Sequence, residues 1–267
     1  MDDIVIRDMQ GDDEVYVSTC SHVGESEEID VSAADRLALF RDLASHGASF
    51  KVARFDGEPT GFAYGLPIIR SSWGPLGDEL MVLPCLYVPS RIAGRGAGRA
   101  LVEAIERDAR AAGHAGVTVT AYRDIPGAEW FMPAAFFERL DYRPADERGR
   151  EVLLWKPFRD DAKPPRFLQP QFAFEPIEGV CVVDLFWNRF CQTSGIEAQR
   201  VREVCGEFGD RVVLREYPAE DRETLLRYQT SRAIYVDGRE IGWGYEAPRE
   251  GIRAAIERAF EGNDGIS

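Results

Sequence analysis

Apolar residues along the chain gather into short runs and helical stripes, separated by glycines, prolines and charged residues. Leu80-Met-Val-Leu-Pro-Cys-Leu-Tyr-Val88 is an apolar run rich in strand-favouring residues, and downstream Leu101, Ile105 and Ala109 recur at helix spacing, joined by Val102 and Ala104. Between them lies Arg91-Ile-Ala-Gly-Arg-Gly-Ala-Gly-Arg-Ala-Leu101, so the pattern predicts a strand, a glycine turn and a helix. Ser49 to Phe55 and Gly61 to Pro67 flank Asp56-Gly-Glu-Pro-Thr60 and predict a hairpin. Ile4 to Met9 reads as an edge strand. Val31, Leu37, Leu39, Phe40 and Leu43 read as a helix that stops at Gly47. Further strands are predicted at Gly116 to Ala121 and Glu151 to Lys156, and Ile68 to Asp78 reads as a loop.

The periodic pattern then breaks. Pro157 to Pro170 combines Asp160-Asp161, Pro164-Pro165 and Pro170, the composition of a connector. Beyond it the chain begins again with a strand at Gly179 to Phe186 and a helix whose apolar positions include Ile196, Val201, Val204, Cys205 and Phe208. A strand at Val212 to Tyr217, a polar helix through Tyr228, a strand at Ala233 to Val236, Asp237-Gly238, Ile241 to Trp243 and a last helix through Phe260 complete an α/β pattern. The expected division is residues 1–158, a linker at 159–171, and residues 172–267.

The glycine turn carries the most specific chemistry. Gly94, Gly96 and Gly98 have no Cβ, so backbone N–H groups there can approach a phosphate, and the helix beginning near Gly98 adds unpaired amides and a positive dipole end. No Lys-Ser/Thr follows, which excludes a Walker loop, and no acidic residue closes a second strand as a Rossmann site requires. A tight packing turn is the plainer alternative.

The 267 residues suffice for two domains, each with its own core, and a hydrophobic fraction of 45% is that of a globular protein. A formal charge of -14 argues against a general binder of nucleic acid or anionic membrane. No signal-like segment or apolar run of transmembrane length is present, which favours a cytoplasmic protein. Cys20, Cys85, Cys181, Cys191 and Cys205, and the histidines His22, His46 and His114, are scattered, so no metal is expected.

Residues from about Ile4 to Phe158 resemble the GNAT acyltransferase family, in which a bent central strand leads to a pyrophosphate turn of the form Arg/Gln-x-x-Gly-x-Gly/Ala. Gly96-Ala-Gly98 before Arg-Ala-Leu-Val fits best, with Ala93 where the family has Arg or Gln. The resemblance implies acetyl-CoA as acyl donor, with pantetheine inserted like an extra strand between splayed central strands. It implies cofactor contacts from Leu86, Tyr87 and Val88 and from Gly94, Arg95, Gly96, Ala97, Gly98 and Arg99. It further implies direct transfer to the amine of a small molecule or peptide.

Transfer requires an amine to lose a proton and the leaving thiolate to gain one. Glu79, at the entrance of the central strand, is the nearest plausible base or else a solvent-facing acid. Pro84 cannot donate an N–H and fits a local bulge or a break in strand pairing there. Cys85 reads as a pocket wall more readily than as a nucleophile, since no Cys/His pair is visible. Trp73 lines the acceptor pocket or covers a core edge. Phe131 to Tyr142 resembles the family's terminal helix and following turn, and the match puts Phe137, an acceptor-pocket candidate, where the family often carries the Tyr that protonates the thiolate. Tyr122 is the alternative phenol. Glu25, Glu27, Glu28 and Asp30 either greet a cationic substrate or form a solvated loop.

The second half resembles a thioredoxin-like domain, with Cys191-Gln-Thr-Ser194 where a dithiol oxidoreductase has Cys-x-x-Cys. Cys191 at a helix N-terminus is a possible reactive thiol without a resolving partner, or a packing residue. The two resemblances together point to YoaP-like acetyltransferases, in which the second domain serves as a substrate, carrier or protein-partner module. The fold class expected is therefore α/β, a GNAT fold followed by a smaller thioredoxin-like α/β domain. The competing function is an acyl-CoA-sensing, thiol-active binding or redox protein.

Overall fold

The computed structural model describes residues 4–124, 132–243 and 245–263. Phe131, at the head of the stretch matched to the terminal helix, lies outside them. Contacts divide the chain into one unit of Met1–Glu25 with Leu37–Leu168 and another of Ser26–Arg36 with Gln169–Ser267.

The first unit is built on a seven-stranded sheet. Its elements begin with β1 (Val5–Asp8), α1 (Asp13–Ser18) and α2 (Glu27–Ser45), whose first residues count with the second unit, and continue with β2 (Ser49–Phe55) and β3 (Glu58–Pro67). Then come β4 (Leu80–Tyr87), α3 (Ala97–Ala111), β5 (Gly116–Tyr122), α4 (Ala134–Glu138), β6 (Arg143–Arg148) and β7 (Glu151–Pro157). The strand order is β1-β2-β3-β4-β5-β7-β6, antiparallel except for the parallel pair β4 and β5.

The β2–β3 hairpin is tighter than the predicted 56–60 turn. Only Asp56 (φ 51°) and Gly57 (φ 80°) turn the chain, both in the left-handed region that two-residue hairpins favour. Pro59 is accommodated because the register shifts there, between Ala53 and Arg54 on the partner strand. α3 packs on one sheet face, where Leu101, Val102, Ile105 and Ala109 join Met81, Leu83, Val117, Val119, Val152 and Leu154 in one buried cluster. On the opposite face Leu80 and Val82 cluster with Ile68 and Trp155, while Tyr16, Phe40, Phe50, Phe62 and Tyr64 form an aromatic stripe with ring centroids 4.7 to 6.1 Å apart.

The second unit holds β8 (Cys181–Trp187), α5 (Gln192–Glu207), β9 (Val212–Pro218), α6 (Arg222–Tyr228), β10 (Ala233–Val236), β11 (Arg239–Ile241) and α7 (Arg249–Asn263). Its four-stranded sheet runs β11-β10-β8-β9, with β8 and β9 parallel and β10 antiparallel to both β8 and β11. Cys181, Val183 and Leu185 face α5 and α7 through Ala198, Val201, Val204, Ile252 and Ile256. Towards the other face, the irregular stretch 169–180 lays Phe172 against Tyr235 and Phe186, at 4.6 and 5.3 Å between centroids. Phe174 fills the space where Gly238 would otherwise carry a side chain. A backbone bond from the Gln171 amide to the Tyr228 carbonyl (2.9 Å) and a bond from the Arg215 guanidinium to the Glu175 carbonyl (2.9 Å) fasten the stretch.

Candidate active site

β4 changes phase at Pro84. Tyr64 on β3 pairs with Cys85 and Leu66 with Val82, so Leu83 and Pro84 together oppose the single residue Gly65. This is a β-bulge, and it reverses the alternation of the strand. Before it Met81 and Leu83 face α3; after it Leu86 and Val88 do, which turns Cys85 and Tyr87 to the opposite face. Tyr87 there lies 5.5 Å from the Phe62 ring.

The bulge coincides with a parting of the central strands. β4 and β5 pair only at Leu80 with Gly116, Met81 with Val117 and Val82 with Thr118. Beyond that, β4 stays with β3 through Tyr87, while β5 stays with β7 through Tyr122. A gap bordered by backbone therefore opens from Leu83 onward, on the side of the sheet where β4 leads into the glycine turn.

In that turn Gly94 and Gly96 have φ of 76° and 89°, and Gly96 is the N-cap of α3. A Cβ built on Gly96 would meet nothing within 4 Å, so its side faces open space. Gly98 is different. A Cβ there would lie 3.3 Å from the Phe136 ring and 3.7 Å from Val88. The first helical hydrogen bond runs from the Ala100 amide to the Gly96 carbonyl (3.0 Å), which leaves the amides of Ala97, Gly98 and Arg99 ahead of the helical series. Arg91, Arg95 and Arg99 belong to the same short stretch and concentrate positive charge in an acidic chain. Arg91 donates to Thr60 Oγ1 (3.5 Å), Arg95 lies over the Phe55 ring (5.0 Å), and Arg99 is exposed beside Glu103. The turn thus gathers Leu86, Tyr87, Val88 and residues 94–99 around the mouth of the gap.

The other expected residues are spread more widely. Glu79 immediately precedes β4 on the closed, paired side, about 13 Å by strand rise from the opening at Leu83. Its side chain is exposed and ion-paired with Arg159, and its carbonyl accepts from the Ala115 amide (2.7 Å). Trp73 is half-buried in a loop pinned by Ser71, whose hydroxyl accepts from the Trp73 amide (3.2 Å). Next to it, Gly74 packs against Val82, on the face that Cys85 shares. Phe137 is fully buried between Phe136 and Tyr142, with centroids at 5.0 and 5.5 Å, so it supplies core packing and no pocket surface. α4 is only five residues long, much shorter than the predicted stretch. Of the acidic run, Glu28 is engaged by Arg200 (2.6 Å) and Arg249 (2.8 Å) and Glu25 by His22 (2.9 Å), so these two do not await a cationic substrate.

Tyr122 stands at the end of β5, where the gap is open. Its hydroxyl donates to Glu151 Oε1 (3.3 Å). Burial, and then the Glu151 charge, push the phenol up to about 12. Sequence reasoning missed Glu151 as a partner because the two residues are 29 apart and meet only through the β5–β7 register.

Residues 16–141 match the model of the acetyltransferase (GNAT) family. This segment has the GNAT fold. No curated protein matches the chain. Among solved structures, the PaiA N-acetyltransferase of Thermoplasma acidophilum in complex with coenzyme A is 16% identical, with 58% of this chain and 99% of that chain covered at a TM-score of 0.42. The putative acetyltransferase yncA from Salmonella typhimurium with acetyl-CoA is 18% identical, with 60% and 97% covered and a TM-score of 0.45. A putative GNAT-family acetyltransferase from Desulfovibrio desulfuricans is 18% identical, with 58% and 99% covered and a TM-score of 0.45. Among the described residues of the whole chain, no group of three or more His, Cys, Asp or Glu side chains is placed to hold a metal ion, and no helix is long and apolar enough to cross a membrane.

The GNAT segment does not include Cys191. That residue is the half-buried N-cap of α5, and its amide donates to Asn188 Oδ1 (2.9 Å). Asn188 Nδ2 in turn donates to the Ser231 carbonyl (2.9 Å), which ties the turn to the segment before β10. Adjacent Arg232 is clamped on buried Glu197 at 2.7 Å. Cys181 and Cys205 are buried, and burial pushes both thiols up to about 12.

Proposed function

We propose that this protein is an acetyl-CoA-dependent N-acetyltransferase that passes the acetyl group directly to the amine of a small molecule or peptide. The observation that carries the reading is the parting of β4 from β5 after three residue pairs, beside a glycine turn at the N-terminus of a 15-residue helix. The turn's free amides and the three arginines suit a pyrophosphate, and the unpaired strand edges offer hydrogen bonds to an extended amide-bearing arm. Bound there, acetyl-CoA would supply the thioester. The chain's own residues would hold the phosphates at Gly94–Arg99, line the arm with Leu86, Tyr87 and Val88, and wall the acceptor side with Cys85 and Trp73.

In this reading residues 1–158 form the transferase domain, 159–171 the linker and 172–267 a thioredoxin-like, YoaP-like domain that captures substrate or a protein partner. The β8-α5-β9 unit followed by α6, the β10–β11 hairpin and α7 supports that second assignment, as does Cys191 capping α5 next to a turn tied to residue 231. The experiment is to incubate the full chain with acetyl-CoA and a panel of amines, amino acids, polyamines and thiols, following CoA release and product mass. An acetylated amine is the expected result. Acetyl-CoA binding with no acceptor-dependent release would replace the enzyme by an acyl-CoA sensor.

A further inference from the structure

Direct transfer leaves two protons to be moved, and buried Phe137 can move neither. On the β5 and β7 side, the open end of the gap carries Tyr122 and Glu151. Thr118 pairs with Val82, so Thr118, Thr120 and Tyr122 share the face that carries Val82, away from α3. Directly opposite Tyr122 on β7 is Glu151, on the same face by register. Its Oε2 is held by Arg148 through Nε (3.0 Å) and a second guanidinium nitrogen (2.6 Å), while its Oε1 accepts from the Tyr122 hydroxyl. Arg123, the next residue, is bound to Glu138 (2.9 Å) and Glu147 (3.2 Å), which keeps its charge off Glu151.

We propose that Glu151, clamped by Arg148, is the positioning residue that makes the Tyr122 hydroxyl the proton carrier of the transfer step; this rests on the acetyl-transfer reading above. As the amine nitrogen bonds to the thioester carbon, its proton passes to Tyr122 Oη, and the phenol's own proton passes to Glu151 Oε1. The C–S bond breaks with its electron pair on sulfur. The same chain run in reverse returns the proton from Glu151 through Tyr122 to the thiolate, so the carboxylate is restored and CoA leaves as the thiol. One pair thereby covers both the base and the acid.

The test uses the full chain and the variants Glu151→Gln, Glu151→Asp and Tyr122→Phe. Acetyl-CoA affinity is measured by calorimetry, the Tyr122 hydroxyl is titrated by NMR with ring-labelled tyrosine, and CoA release is followed with tyramine and spermidine as probe amines. In Glu151→Gln the Tyr122 titration is expected to fall from about 12 towards the ordinary phenol value of about 10. CoA release is expected to drop by about 100-fold or more with affinity unchanged, Tyr122→Phe to match it, and Glu151→Asp to recover part of the rate. An unmoved titration, or equal CoA release from wild type and Glu151→Gln, overturns the proposal. Absence of acetyl-CoA binding in the wild type would instead remove the transferase reading itself, which calorimetry detects independently of the titration.

Discussion

Placing a side chain on Gly96 should separate affinity from stability. Gly96 has φ 89°, where an L-residue costs about 1–2 kcal/mol, yet a Cβ there meets no atom within 4 Å. Gly96→Val should therefore fold with a modest loss of stability and project its branched side chain into the space over the free amides. A charge-assisted hydrogen bond is worth about 1.5–3 kcal/mol, so displacing a phosphate from two amides should cost roughly 3–6 kcal/mol, two to four decades in Kd. Gly113→Val is the matched control. It has φ 79° and the same open surroundings, but it lies past the other end of α3, about 25 Å away at the helical rise per residue. Calorimetry with acetyl-CoA and thermal melts on both variants would read the two effects. Wild-type affinity in a folded Gly96→Val, or an equal affinity loss in Gly113→Val, would refute the assignment of the turn as a phosphate cradle.

Glu79→Gln should change stability by less than about 1 kcal/mol, as for other exposed ion pairs, and leave turnover unchanged; a loss beyond tenfold with normal acetyl-CoA binding would make Glu79 the base after all. Phe137→Ala should destabilise by about 3–5 kcal/mol in denaturant melts, the range for a fully buried ring, and Phe137→Tyr should lose stability without gaining turnover. Native-state alkylation followed by mass spectrometry should label half-buried Cys191 well before buried Cys181 and Cys205, and faster labelling of either buried thiol would reject the reactive-thiol role. Because burial raises Cys181 and Cys205 to about 12, the unfolded chain loses those protons first as pH rises. Their stabilising effect should be complete below the ordinary thiol range and fade between there and about pH 12, visible as a falling Tm that Cys205→Ala reduces.

Local signals carried the central part of the fold. The run at 80–88, the glycines and the 101–109 stripe are contiguous, so strand, turn and helix are each written in their own residues, as is the bulge at Pro84. β6 escaped because Arg143-Pro-Ala-Asp-Glu-Arg148 is an exposed edge strand with no apolar alternation, held only by its register with β7. The α1 helix, six residues long, has too few turns to show a period. The site fared similarly: amides that belong to one turn could be anticipated, whereas the burial of Phe137 and the engagement of Glu28 depend on neighbours far away in sequence. The acidic run at Glu25 to Asp30 leaves two readings open in the sequence because arginines 200 and 249 cannot be seen from residue 28.

The stretch 169–180 bears on how the second half can be dissected. A fragment cut at the start of β8 would keep β8 to α7 but lose Phe172 and Phe174, along with the first residues of α2 that count with that unit. An aromatic side chain typically buries on the order of 150–250 Å², so the sheet face around Phe186 and Tyr235 would be left open to water and prone to self-association. A fragment beginning a dozen residues earlier carries its own cover. Limited proteolysis should follow the same boundary, since bonds fastened to Tyr228 and Arg215 resist a protease that readily enters an unfastened chain.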